Sequence, residues 1–396
     1  MKTKHLFTTL LIFLISTGNL FAEPVWITIG TDAVPEVEKR LGTIGEPSKS
    51  ITGVTRLQID SKNILPLTYL MNTRFNRCGG FFYHENLAEA SKALTNIFKR
   101  DLATKKIFVD YSIKNEKLVE SLIAQVEEEK VVEIIEKLSS FHNRYYQAQT
   151  GVESSNWLKS HWEALANGNK SISVESFEHT GWAQPSIILS IQGDEKPEEV
   201  VILGGHADSI AGYWGGATNR APGADDNASG LATISEVIRI LFANNFKPGR
   251  TLKFMAYAAE EVGLRGSREI AKKYKEDGVN VVGVIQLDMT NYKGSNLDIV
   301  MMSDYTNHAQ NEFIGRLIDR YVHVTWGYSK TGYAASDHAS WTEQGYPASM
   351  PFESNKEDMN PNIHSARDTI AMSGDNAEHA VKFVKMALAF AVEMTR

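Results

Sequence analysis

The run Val200-Val201-Ile202-Leu203-Gly204-Gly205-His206 is apolar for four residues and then closes on two glycines and an imidazole. A short unbroken apolar run bounded by turn residues suits a strand buried on both faces. Working outward, similar runs occupy 186–191, 252–256, 281–287 and 299–302. Helical periodicity covers 232–242, 267–275 (stopped by Gly278), 312–321 and 377–394. Buried strands alternating with helices predict an α/β domain, with a mostly parallel central sheet covered by helices on both faces. Upstream, Val131, Ile134, Ile135, Leu138 and Phe141 recur at helical spacing. Ser154 or Ser155 is expected to cap a further helix through Trp157, Leu158, Trp162 and Leu165. No internal repeat or low-complexity tract interrupts the pattern.

The 396 residues are 42% hydrophobic and 10% aromatic, an ordinary globular balance that argues against disorder. The formal charge is −7 and no Lys/Arg run reaches five residues, so a nucleic-acid partner gains no support. Lys2 and Lys4 precede the apolar stretch 6–15, and small and polar residues follow to Ala22. That is the order of a secretory signal peptide cleaved after Ala22. The apolar stretch falls short of the roughly 20 residues a spanning helix needs, so export to the extracellular space is expected, without a stable membrane anchor. Cys78 is the sole cysteine, so no internal disulfide forms and stability must come from the core. No histidine partner can be placed beside it, and no catalytic role is expected of it. Residues 23–109 hold strand-like runs at 25–29 and 54–59 and a small helix at 87–98. They end in Lys99-Arg100 and Lys105-Lys106, a composition found at protease-accessible junctions.

In a sheet of this kind, ligands bind beyond the carboxyl ends of the strands. The run at 200–206 ends in His206, with Asp208 two residues on, and the run at 252–259 ends in Glu260-Glu261. The run at 281–287 ends in Asp288. Asp226 lies in the turn Pro222-Gly223-Ala224-Asp225-Asp226-Asn227-Ala228-Ser229-Gly230, which opens a helix, and His364 follows late in the chain. A lone strand-end acid is usually a turn or cap residue. A lone histidine is usually a satisfied core or surface group, and His142, His161, His179, His308, His323, His338 and His379 are read that way. Adjacent acids at the end of an apolar strand are costlier without a cation.

Taken together, these groups make sense as a metal site. Histidine and carboxylate ligands suit zinc, and five of them exceed one tetrahedral catalytic ion with an open position. They fit two ions sharing a bridging carboxylate, in sites where the metals stand roughly 3.5–4 Å apart. One acid of the Glu260-Glu261 pair is then free to act as a base. Asp208 is expected to hydrogen-bond the remaining N–H of His206.

At His206 to Asp208, the Gly223-to-Gly230 turn and Tyr257-Ala258-Ala259-Glu260-Glu261-Val262-Gly263-Leu264-Arg265-Gly266-Ser267, the chain resembles the secreted bacterial leucyl aminopeptidases. The likeness continues through Gln286-Leu287-Asp288-Met289-Thr290-Asn291-Tyr292, Ser336-Asp337-His338-Ala339-Ser340-Trp341, Met350-Pro351-Phe352-Glu353-Ser354 and Asn360 to His364. It implies a co-catalytic di-zinc exopeptidase with a single α/β catalytic domain, holding two Zn²⁺ per chain. One ion would rest on His206 and Asp288 and the other on Glu261 and His364, with Asp226 bridging and followed by a cis peptide. Glu260 would be the general base and then the acid.

With residues 1–22 read as the signal peptide, the resemblance also implies a small α+β propeptide over 23–109 and a catalytic domain over 110–396. The partners implied are peptides with a free N-terminus and a processing protease, and a monomer is expected. An apolar pocket near Met289, Tyr333, Met350, Phe352 and Ile363 would favour Leu, Phe or similar residues, with ordinary core packing as the rival reading. Two departures stand out. Thr331 and Ala335 stand where relatives carry a cysteine pair, and Lys356 and Met359 stand where close relatives carry aromatics. The alternatives are a carboxypeptidase or glutaminyl cyclase on the same scaffold, or a peptidase-like binding ectodomain that has lost catalysis.

Overall fold

A computed structural model of the chain describes residues 23–77, 79–102, 109–169 and 171–396. The expected signal peptide, Cys78 and Lys105-Lys106 lie outside the described residues. The N-terminal unit opens with β1 (Pro24–Gly30), α1 (Val34–Arg40), β2 (Val54–Asp60), α2 (Ile64–Phe75), β3 (Phe81–His84) and α3 (Leu87–Leu102). Its three strands pair antiparallel in the order β2-β1-β3. Val25, Ile27 and Ile29 alternate inward from β1 and pack on Leu57, Ile59, Leu67 and Met71. This core is continuous with Tyr145, Tyr146, Ala259 and Val262 of the larger unit.

That larger unit carries α4 (Glu116–Ile123), α5 (Glu128–Ser140), α6 (Gln149–Ala166), β4 (Ile172–Phe177), β5 (Ser186–Ile191), β6 (Lys196–His206) and α7 (Gly230–Ala243). Then come β7 (Arg250–Tyr257), α8 (Arg265–Glu276), β8 (Asn280–Gln286), β9 (Ile299–Met302), α9 (His308–Leu317), β10 (Trp326–Ser329), α10 (His338–Glu343), β11 (Ala348–Phe352) and α11 (Glu378–Thr395). The eight strands form one sheet in the order β10-β9-β11-β8-β6-β7-β5-β4.

The centre β11-β8-β6-β7 is parallel, and β5, β4 and the β11–β9 contact add antiparallel pairs toward the edges. The α/β architecture with a mostly parallel, helix-covered sheet is therefore as expected. Helices α7 and α11 are buried along nearly their whole length. Among the described residues, no helix is long and apolar enough to cross a membrane.

Helix α6 corrects one expectation. It starts at Gln149, so Ser154 and Ser155 are buried inside it, and neither caps it. The hydroxyl of Ser154 donates instead to the carbonyl of Gly151, at 2.8 Å. The run expected as one helix over 312–321 is α9 followed by a wider turn at Ile318–Val322.

Candidate metal centre

Registry in the parallel centre brings the functional strand ends side by side. His206 at the end of β6 pairs with Tyr257 at the end of β7, and Gly204 pairs with Gln286 at the end of β8. Glu260 and Glu261 therefore leave β7, and Asp288 leaves β8, on either side of His206. Asn227 draws in the turn that carries Asp226. Its amide donates to the Leu287 carbonyl at 2.9 Å, and its side-chain oxygen accepts from the backbone N–H of Met289 (3.2 Å) and Gly230 (3.0 Å). Gly230 must be glycine, because a Cβ there would lie 2.1 Å from the Leu287 carbonyl oxygen. The peptide bond Asp226–Asn227 is cis, as the resemblance implies.

The two oxygens of Asp226 face two imidazoles. Oδ1 is 3.0 Å from Nε2 of His206, and Oδ2 is 3.2 Å from Nε2 of His364. The same nitrogen of His206 lies 3.2 Å from Asp288 Oδ1, and that of His364 lies 2.7 Å from Glu261 Oε2. The result is two triads, His206–Asp226–Asp288 and Asp226–Glu261–His364, each with its ligand atoms within 4.8 Å of one another. Ala259, Met289 and His364 adopt positive φ, so backbone strain collects at the centre.

Charge in this buried cluster is shared between carboxylates and imidazoles. Burial disfavours protonated His206, but Asp288 and Glu260 outweigh it and hold its pKa well above the ordinary value. Burial likewise opposes the charge on His364, yet Glu261 and Asp226 raise it to about 10. Burial would raise Asp226, but the bonds from His206 and His364 hold it below the carboxylate range. Burial, with Asp226 nearby, pushes Glu261 up to about 7, and burial pushes Glu260 far above its usual value. The imidazole protons thus stand where positive charge is required. Both carboxylate oxygens of Glu260 and Oδ2 of Asp288 are buried without a hydrogen-bond partner among the described residues. Orphaned anionic oxygens beside paired His–carboxylate triads fit a centre built for cations.

Asp208 plays a different part from the one expected. The Nδ1 of His206 meets the backbone carbonyl of Asp208 at 3.2 Å, whereas the nearest carboxylate oxygen is 3.6 Å away. That carboxylate instead accepts the backbone N–H groups of Glu260 (3.0 Å) and Glu261 (3.2 Å), fixing the turn that presents both acids. Of the expected pocket residues, Met289, Met350, Phe352 and Ile363 form one buried cluster with Val300 and Met302. Tyr333 is not brought into it. It packs with Phe82 and Leu264 and donates from its hydroxyl to Thr28 at 3.0 Å. The loop lacking the cysteine pair is held by Asp304, whose carboxylate accepts from the N–H groups of Thr331 and Gly332 at 2.7 and 3.1 Å.

Several supporting residues escaped the sequence reading. Arg144 is fully buried and donates to the carbonyls of Ala207, Pro222 and Gly223 at 2.9, 2.6 and 3.0 Å, joining the His206 strand end to the Asp226 turn. Asp368 accepts the backbone N–H of both Asp225 and Asp226, at 3.1 Å each. Asp225 in turn accepts from Asn291 and Asn360. Asp225 sits beside a residue that was singled out, and Asn360 lies in a quoted segment. Arg144 and Asp368 are lone charges in loops and carried no signal.

A buried histidine–carboxylate cluster at the carboxyl ends of a parallel sheet defines a metallohydrolase type of site. Residues 186–389 match the model of peptidase family M28. A probable leucine aminopeptidase of Trichophyton verrucosum is 37% identical over 304 residues, covering 74% of this chain and 80% of its own. LapB from Legionella pneumophila superposes with a TM-score of 0.80 at 30% identity, covering 94% of this chain and all of its own. The LapA aminopeptidase of the same organism gives 0.80 at 28% identity, covering 94% and 99%. The chain belongs to peptidase family M28 and is an aminopeptidase, a hydrolase of the exopeptidase kind.

Proposed function

We propose that the chain is a secreted aminopeptidase that removes apolar N-terminal residues such as Leu or Phe from peptides, using two zinc ions and Glu260 as general base. The observation that carries this reading is the sharing of Asp226 between the two His–carboxylate triads. His206 and Asp288 would hold one ion, Glu261 and His364 the other, and Asp226 would bridge them. Bound there, the ions supply Lewis-acid polarisation of the scissile carbonyl and lower the pKa of the attacking water.

The chain's own residues do the rest. Glu260 is held by the Asp208-capped turn with both oxygens unengaged, so it can take a proton from water and return it to the leaving amine. Its raised pKa belongs to a metal-free cluster, and positive charge beside it favours ionisation. The cluster of Met289, Met350, Phe352 and Ile363 would line the pocket for the departing residue.

Residues 1–22 would direct export, and 23–109 would be a propeptide removed near residue 110. Contacts of the N-terminal unit at the centre support the second point: the Thr68 hydroxyl donates to the Glu261 carbonyl at 2.7 Å, and a Cβ on Gly79 would stand 3.1 Å from Oε1 of Glu260. The released enzyme would be a monomer without a membrane anchor. Leu-p-nitroanilide and its N-acetylated counterpart test the reading. Turnover of the first alone is expected, and equal turnover of both would overturn it. Elemental analysis giving fewer than two zinc ions in the active enzyme would overturn the ion count.

A further inference from the structure

The segment 79–84 lies along the larger unit, starting at the catalytic centre and leading away from it. A Cβ on Gly79 would stand 3.1 Å from Oε1 of Glu260 and 3.6 Å from Leu264 Cδ2. Four residues on, the N–H of Tyr83 donates to the carbonyl of Gly263 at 3.2 Å, and Arg268 donates to the carbonyl of Tyr83. Gly263 has φ 101°, and a Cβ there would fall 2.8 Å from the Tyr83 nitrogen, so this stretch leaves room for a main chain. The Tyr83 ring lies over the Arg265 guanidinium at 4.2 Å, and the same guanidinium lies 4.6 Å from the ring centre of Trp182. Beyond Tyr83 along this groove lies a cavity of about 370 Å³, walled on one side by Trp182, Arg265 and Lys272 and on the other by Glu89 and Lys92 of the N-terminal unit.

Three features mark this groove as more than an anchor for the N-terminal unit. It is continuous with Glu260. Its occupant runs from N- to C-terminus away from Glu260, the polarity a peptide would have with its first residue at the centre. It also holds main-chain N–H and C=O groups, a mode of capture indifferent to sequence. We propose that, once the N-terminal unit has gone, this groove receives the downstream part of peptide substrates. With Gly79 counted as the first residue, the shelf of Arg265 and Trp182 takes an aromatic side chain at the fifth. The proposal rests on the reading of Glu260 and of the removable N-terminal unit given above.

The test uses mature enzyme recovered after the full chain has folded and been processed. Stripped of metal to prevent turnover, it is titrated calorimetrically with Leu-Gly-Phe-Phe-Tyr-His and Leu-Gly-Phe-Phe-Ala-His. The tyrosine peptide is expected to bind roughly three- to tenfold tighter, the span of a partly desolvated cation–π contact. Arg265→Ala and the length-preserving Arg265→Gln should each abolish that preference. The far-UV circular dichroism and thermal midpoint of the variants should match the wild type, which reports their folding. Equal affinity of the two peptides for the wild type, or a preference that survives both substitutions, overturns the proposal. A preserved preference in a wild type that cannot turn over Leu-p-nitroanilide overturns the catalytic reading and leaves the groove standing.

Discussion

Loading the chelated protein with zinc should release at least two and a half protons at pH 7, and the number follows from the cluster's charges. His206 is held well above its ordinary pKa and His364 at about 10, so each imidazole carries a proton at neutrality. A ligating nitrogen must surrender that proton. Glu261, at about 7, adds close to half a proton, Asp226, held low, adds none, and Glu260, raised by burial, adds to the count as the ions favour its ionised form. The metal-free form therefore binds more protons than the loaded form, and acid favours it. Each displaced proton is worth about 1.36 kcal/mol per pH unit. Summed over both ions, affinity should fall by at least about 3 kcal/mol from pH 7 to pH 6. Isothermal titration with zinc at pH 7, in two buffers of unlike ionisation enthalpy, gives the proton count as a slope. A slope near zero would refute the reasoning, because it would mean that the imidazole protons and the cations do not compete for the same nitrogens.

Glu260→Ala should keep both metals while kcat falls by about two to four orders of magnitude; a near-normal rate in metal-loaded protein would remove Glu260 from its role. Asp226→Ala should lose metal outright, and elemental analysis finding two retained zinc ions would contradict the bridge. Arg144→Met leaves the carbonyls of Ala207, Pro222 and Gly223 without their donor. Each costs about 1–3 kcal/mol, partly offset by relief of a buried charge, so a net loss of about 3 kcal/mol is expected in urea unfolding. A loss below about 0.5 kcal/mol would show that the guanidinium does not hold the two strand ends together.

The parts of the fold that could be read beforehand are those whose signal is local. The apolar run of β6 announces itself by composition, and the largely buried α7 and α11 by apolar residues at helical spacing with few charges between them. Strand direction has no such signature, and so the reversal of β5 and β9 beside a parallel centre was not legible. Helix starts fared as badly: Ser154 and Ser155 look like caps, yet Gln149 to Val152 continue the helix upstream of them. At the centre, strand-end position singled out His206, Glu260, Glu261 and Asp288. The contacts of Tyr333 with Phe82 and Thr28 had no signal in the sequence, because a loop side chain's neighbours are set by tertiary contacts, here the N-terminal unit. Asp208 shows the same limit on a finer scale, since spacing cannot tell whether its carbonyl or its carboxylate meets His206.

So much buried acid in one place needs explaining, and two layers divide the task. The inner layer, Asp226, Glu261 and Asp288, faces imidazole nitrogens at 2.7–3.2 Å, where protons or cations supply the balancing charge. Behind it, Asp225, Glu353 and Asp368 meet mostly backbone and amide N–H groups. Burial pushes Glu353 and Asp368 well above the carboxylate range, with Asp225 adding to both, and lifts Asp225 to about 6. The raised pKa values of Asp225, Glu353 and Asp368 lessen the negative charge of the rear layer. Negative charge is thereby concentrated on the face that His206 and His364 share, and Asp226, whose backbone is pinned by Asp368, keeps its two oxygens aimed at both. An arrangement that served stability alone would replace the inner acids with apolar side chains of similar volume. Carboxylates turned toward the imidazoles of His206 and His364 are what a centre designed to grip positive charge requires.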